Sequence, residues 1–312
     1  LSLVITKNQP PVLYVDTIKD YPRHVEMLLK DWYDILQLPE DCLELIIDFH
    51  YCGFLGHIGV TFLGGIARLF EYRGGNVTFR WKTLLEEIRV NLAQNGFLSD
   101  FGHYQKPWDG NSIPYRSDHQ YDQQIIGDYL RYQWLGRGWV NISSRLQDAI
   151  TGKVLEIYLN AFEHSQSQIG VYSCGQHYPK AGTFQLTVVD FGIGIPESVR
   201  TLSENTTMTA IEAIEWAFMS GNSTKNDKDI DRGAGLHLLE QFILKNRGNL
   251  MIFSNDGYVN ISDNGTIYEN VCTNFSGTLV NIAFRCDEKY YCLASDSLRG
   301  EAIVSQLKRR IF

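Results

Sequence analysis

Nowhere in the 312 residues does an apolar run approach the roughly 18 residues of a membrane-spanning helix, so no membrane span is expected. Zinc-type cysteine spacing is missing too. The six cysteines, Cys42, Cys52, Cys174, Cys272, Cys286 and Cys292, include no Cys-x-x-Cys pair. They read as reduced thiols in a cytoplasmic protein, with Cys286 and Cys292 the one pair placed to meet across a bend. No signal-peptide pattern is expected either. A positive balance is also lacking. Lys and Arg number 28 against 36 Asp and Glu, for a net charge of −8. Nucleic acid is therefore not the expected partner, beyond what a local patch such as Lys308-Arg309-Arg310 could hold.

Several nucleotide and kinase motifs are absent as well. No Gly-x-x-x-x-Gly-Lys-Ser/Thr loop occurs, which excludes a Walker-type ATPase. The pairs Gly192/Gly194 and Gly233/Gly235 each lack the third glycine of a dinucleotide fingerprint. Asp190-Phe191-Gly192 spells a protein-kinase triplet, but no His-Arg-Asp loop accompanies it. No His stands in the His-Glu-x-x-x-Pro setting of a sensor-kinase phosphoacceptor, which argues against histidine autophosphorylation.

What is present centres on Glu156-Ile-Tyr-Leu-Asn160-Ala-Phe-Glu-His164. Glu156, Asn160 and His164 fall at i, i+4 and i+8, one stripe of a helix whose other residues are largely apolar. Polar groups on a mostly buried helix need partners. An Asn oxygen suits a hard cation that shares phosphate oxygens, and a carboxylate one turn earlier can orient or deprotonate a water or hydroxyl. A plain amphipathic helix with a polar seam explains the same stripe. Downstream, Gln185–Asp190 reads as a strand ending in an acid, followed by the Gly192-Ile-Gly194 turn. A carboxylate there can accept from an exocyclic amine such as that of adenine, while glycines let the backbone pass close to a flat base. Taken singly, this is an ordinary turn. Gly233-Ala-Gly235-Leu236 opens a further helix, whose free N–H groups suit a phosphate as well as they suit any helix start. Gly277-Thr278 leads into a late strand.

These four pieces, in this order, resemble the N, G1 and G2 boxes and the late Gly-Thr of the GHKL ATPase superfamily over about residues 140–285. The resemblance implies a Bergerat fold, an α/β sandwich with a mixed sheet, which binds Mg-ATP under a mobile lid. It implies that Asn160 holds Mg²⁺ and that Glu156 is the general base. Asp190 reads adenine with Thr278 assisting, and Gly192 and Gly194 make room for the base. Gly233, Gly235 and Leu236 cradle phosphate, with His164 and Lys225 nearby. The lid spans about 196–232. It contains a short helical pattern over Thr209–Met219 and a polar stretch over Ser220–Asp229.

The N-terminal stretch alternates strand and helix patterns, which predicts an α/β arrangement with a parallel or mixed sheet. Strands are expected over 11–18, 43–50 and 76–81. Helices are expected over 21–37, from Phe54 through Ile66 to about Tyr72, and over 82–95. The aspartate-bearing strand Leu43–His50, the Phe54-Leu55 turn, the glycine-rich helix, Gly74-Gly75 and the helix closing in Gly96-Phe97 resemble a STAS-like domain. Phosphorylated STAS proteins carry Ser or Thr at the start of the helix after the turn. Here the chain has Gly56-His57-Ile58-Gly59, with Thr61 the nearest hydroxyl, so a docking or structural role is expected instead.

The expected organisation is therefore α/β throughout. It has a STAS-like domain over 1–105, a linker and helical connection over 106–139, and a GHKL domain with a C-terminal tail over 140–312. The connection is expected to be helical before Gly136 and to pack between the domains, and Gly152 is a candidate break in the N-box helix. Asn255-Asp-Gly257 and Asp263-Asn-Gly265 read as hairpin turns, and Leu298–Ile311 as a terminal helix. The resemblance implies a slow ATPase whose ordered lid meets a protein partner or a second copy, in signalling, stress response or defence. Two alternatives stay open: a serine/threonine kinase of anti-sigma type acting on a separate STAS protein, and a nucleotide-gated module without turnover.

Overall fold

The computed structural model describes residues 2–7, 9–103, 105–203, 206–218 and 235–295. The N-terminal half runs β1 (Ser2–Val4), β2 (Val12–Tyr14), α1 (Pro22–Leu36), β3 (Glu44–Asp48), α2 (His57–Tyr72), β4 (Asn76–Phe79), α3 (Glu86–Gln94) and α4 (Phe97–Asp100). Its sheet has the order β1-β2-β3-β4. The β2, β3 and β4 strands are parallel, and β1 is an antiparallel edge. The expected elements are present with trimmed ends. The apolar stripe of α1 (Val25, Leu28, Leu29, Trp32 and Ile35) is buried as its spacing requires.

The second half adds β5 (Ser112–Asp118), α5 (Gln123–Asp128), β6 (Asn141–Ile142), α6 (Ser144–His164), β7 (Val171–Tyr178) and β8 (Thr183–Asp190). These are followed by α7 (Gly194–Ser203), α8 (Ala210–Phe218), α9 (Gly235–Asn246), β9 (Asn249–Ser262), β10 (Gly265–Arg285) and β11 (Tyr290–Tyr291). Five of these strands form one sheet of order β5-β7-β8-β10-β9. The protein is thus α/β, as expected. The mixed pairing lies in the N-terminal sheet, however, and every neighbour in the five-stranded sheet is antiparallel.

Three sequence expectations change. Residues 112–118 are not a connection but the β5 edge strand, paired with β7. The helical stretch that follows continues from α5 as a π-helical turn (Tyr129–Trp134) and a 3₁₀ turn (Leu135–Arg137). It does not lie between the halves. Ile126, Leu130 and Trp134 pack with α6 and the far face of the five-stranded sheet. Asn255–Gly257 is not a turn either. β9 runs through it with a register shift against β10, and the hairpin closes at Asp263-Asn264. The expected helix Leu298–Ile311 lies outside the described residues.

Strand alternation assigns the two faces of the large sheet. Leu186, Val188, Val280, Ile282, Leu250 and Ile252 belong to one core, with Val154 and Tyr158 of α6 and Leu239 and Ile243 of α9. Val189, Leu279, Met251 and Phe253 belong to the other, which continues without interruption through α1 and α2 to Leu13 and Ile47 of the small sheet. The order of layers is small sheet, α1 and α2, large sheet, then α5, α6 and α9. A helix between two sheets must be apolar all round, and α2 buries twelve of its sixteen residues.

Close approach of α2 to the sheet depends on two glycines. A Cβ on Gly64 would stand 2.1 Å from the Tyr115 hydroxyl, and one on Gly65 would stand 2.3 Å from the Phe191 ring. Gly65→Ala gains helix propensity of about 1 kcal/mol, yet forces Phe191 out of its aromatic nest, at a cost of about 1–3 kcal/mol for overpacking. The expected result is a net loss of stability in chemical denaturation. A stabilised variant would show that Phe191 has room to move.

Candidate functional site

The α6 helix starts on Ser143, whose hydroxyl accepts from the Leu146 N–H at 3.1 Å. It then runs unbroken for 21 residues. Gly152 does not interrupt it, since the position faces open space and the ladder continues on both sides. Leu146, Ile150, Val154, Tyr158 and Ala161 are buried, while Asn160 is exposed and Glu156 and His164 are half-buried. Leu155 and Phe162 meet Gly127 and Tyr121 on one flank. At 100° per residue, the stripe of Glu156, Asn160 and His164 lies roughly 100–200° around the helix from that flank. Lys153 Nζ donates to Glu156 Oε1 at 2.9 Å.

The C-terminal end of α6 meets the glycine turn after β8. Ser165 O accepts from the Ile193 N–H at 2.6 Å. A Cβ on Gly192 would stand 1.9 Å from the same oxygen, so only glycine fits there. Gly194 adopts φ +83° beneath Ser254 and Asn255. The turn is stitched to the sheet by Ser254, whose Oγ accepts from the Ile195 N–H and donates to Gly277 O, both at 2.8 Å.

Asp190 ends β8 in register with Thr278 of β10, and Thr278 in turn pairs with Ser254 of β9. All three share the parity of Val188, Val280 and Ile252, so they lie on the sheet face that carries α6 and α9. Asp190 is buried and accepts from the Gly192 N–H at 3.0 Å. Burial pushes its pKa up to about 7, against hydrogen bonds from the Gly192 N–H and from Thr278 that pull it down.

The direction of α9 follows from its far end. Asn246 bonds both the N–H and the C=O of Arg285, and Arg285 pairs with Thr183 at the opposite end of β8 from Asp190. Twelve helical residues span about 18 Å and the eight residues of β8 about 25 Å. The first turn of α9, Gly235-Leu236, is therefore directed toward the Asp190 end. Gly233 and Lys225 lie outside the described residues, as does most of the expected lid apart from α7 and α8.

The His164 end of α6 thus reaches the corner formed by Asp190, Gly192, Gly194 and Thr278, with Asn160 and Glu156 about one and two turns farther back along the helix. The chain matches no protein-family model and no curated protein. The corner rests on its geometry alone.

Ser165, Ser254 and Asn255 escaped the sequence reading. Asn255 is buried at φ +52°, its Nδ2 donates to Ile193 O at 3.2 Å, and its Oδ1 is a buried acceptor without a hydrogen bond. Its Asn-Asp-Gly setting carried a signal for positive φ, but that signal was read as a hairpin. Among the described residues no group of three or more His, Cys, Asp or Glu could hold a metal ion. None of their helices is long and apolar enough to cross a membrane. The cysteines are unbridged.

Proposed function

We propose that this corner binds Mg-ATP and that the protein is a GHKL-type nucleotide-dependent switch with slow hydrolysis. The observation that carries the reading is Asp190. It is a buried carboxyl on the α6 face whose pKa burial raises to about 7, with its hydrogen-bonding partners confined to one turn and one strand. Such a group is suited to accept an amine from a flat base, with Thr278 beside it. Asn160 offers an exposed amide oxygen to Mg²⁺. With no acidic cluster among the described residues, the ion would complete its shell with phosphate and water oxygens. When bound, Mg²⁺ would neutralise phosphate charge. The start of α9 is directed toward the same corner, and the N–H groups of a helix's first turn are a favourable setting for phosphate. Nucleotide binding would present a surface to a partner or a second copy, in signalling, stress response or defence.

Glu156 is the candidate base, and one observation favours the reading without turnover: its carboxylate already accepts from Lys153. A single experiment separates the two. Mg-ATP at about 100 times its Kd should raise unfolding stability by about 2.7 kcal/mol, for native protein and for Glu156→Gln alike. Phosphate release should fall in the variant by about 10²–10⁴-fold if Glu156 is the base. Equal release from both proteins leaves a nucleotide-gated binder, and absence of any thermal shift removes the nucleotide itself.

A further inference from the structure

We propose that a second pocket, on the opposite face of the Asp190–Gly194 turn, is a regulatory site for a small flat-ringed anion. The pocket has a volume of about 520 Å³ and opens at the seam where α1 and α2 meet the large sheet. That is the size of an ordinary small-molecule site. Its apolar wall includes Leu69, Trp32 and Phe191, the last two tilted at 38° to each other with centroids 4.2 Å apart.

Two buried donors among the lining residues lack a hydrogen-bond partner. One is the indole Nε1 of Trp32, a residue only 3% exposed, and the other is Nη1 of Arg73. Buried donors left unmet are costly, and an anionic oxygen satisfies both kinds. Arg guanidinium combined with aromatic walls also selects flat rings. The exposed carboxylate of Glu40 stands at the rim, which limits the ligand to one negative charge or favours one that also carries an N–H donor. Gly192 lines the same pocket. A ligand there would brace Phe191 and Gly192 from behind while Asp190 faces the other way. That link to Asp190 rests on the nucleotide reading, whereas binding to the pocket does not.

The test uses 8-anilino-1-naphthalenesulfonate, a flat amine-bearing sulfonate, in fluorescence titrations of the full chain. Native protein should bind one equivalent saturably. Arg73→Gln should weaken that binding at least tenfold, and Leu69→Trp, which fills the pocket, should abolish it. Asp190→Asn, which disables the candidate nucleotide corner, should leave it intact. Arg73 is partly exposed, so its variant should fold even where Leu69→Trp does not, and thermal melts check both. Absence of saturable binding to native protein, unchanged binding in Arg73→Gln, or loss of binding in Asp190→Asn would each overturn the assignment. Failure of the ATP experiment would leave this result unaffected.

Discussion

Replacing Asp190 with Asn is expected to make the ligand-free protein more stable at pH 8 and to abolish its thermal response to Mg-ATP. The two effects share one cause. In the unfolded chain this carboxyl titrates near 3.8, and in the folded chain near 7, because burial disfavours the charge. Between those values the folded state holds more protons than the unfolded state. Stability is therefore full below about pH 4, falls as pH rises through about 7, and levels off above. At pH 8 the ionised group costs on the order of a few kcal/mol relative to a neutral one. An amide mimics the protonated acid: its oxygen can accept from the Gly192 N–H and its NH₂ can donate to Thr278. The gain should thus appear at pH 8 and vanish at pH 4. A nucleobase amine needs the carboxylate, and an amide NH₂ facing it loses a charge-assisted bond of about 1.5–3 kcal/mol. For the native protein, adenine-nucleotide affinity should accordingly rise about tenfold per pH unit up to about pH 7 and then flatten. Calorimetric titrations from pH 5.5 to 8.5 and thermal melts of both proteins measure all of this. A variant that is less stable than native at pH 8, yet keeps its response to nucleotide, would sink the assignment.

How far the sequence disclosed this architecture depends on whether the signal was periodic and local. The α1 stripe of Val25 to Ile35, the α6 stripe and the β8 run ending in Asp190 were legible because spacing alone dictates which side is buried. The β5 strand was not. Ser-Ile-Pro-Tyr-Arg-Ser-Asp carries a proline and mixed polarity, both of which an edge strand tolerates, and a register shift between Ile113 and Arg116 disrupts its alternation. The union of the two halves into one core was also hidden. Gly64 and Gly65 advertise a close approach, but nothing local says that Tyr115 and Phe191 are what approaches. The missing hydroxyl at the start of α2 was visible, and only the structure supplies a reason for it. A Cβ on Gly56 would stand 2.3 Å from the Asp20 carboxylate, which itself accepts from the Ile58 N–H and so takes over the capping role.

That carboxylate carries the other large effect, a loss of about 3–5 kcal/mol in Asp20→Ala. His57 is 3% exposed and lies between the two halves. Its Nδ1 stands 3.0 Å from Asp20 Oδ2, and its Nε2 stands 2.9 Å from Asn281 Oδ1. Both ring nitrogens thus face oxygens of the network. Tyr178 donates to Asp20 at 2.6 Å, and Thr187 donates to Asn281 at 2.8 Å. Burial alone would raise the Asp20 pKa, but His57, Tyr178 and the Ile58 N–H outweigh it and hold the carboxyl below its usual value. Removing Asp20 strands a buried imidazole, frees the Tyr178 hydroxyl and uncaps α2. Removing His57 strands the carboxylate. Each single variant should therefore melt on the order of 10 °C lower. The double variant Asp20→Ala/His57→Ala should lose far less than the sum, because the two groups are coupled. Thr187 and Asn281 belong to β8 and β10, the strands that carry Asp190 and Thr278 on the opposite face. Loosening the network should for that reason also raise amide exchange across β8 and β10 in either single variant. Additive losses below about 1 kcal/mol each, with exchange in β8 and β10 unchanged, would show that the N-terminal half rests on the sheet without organising it.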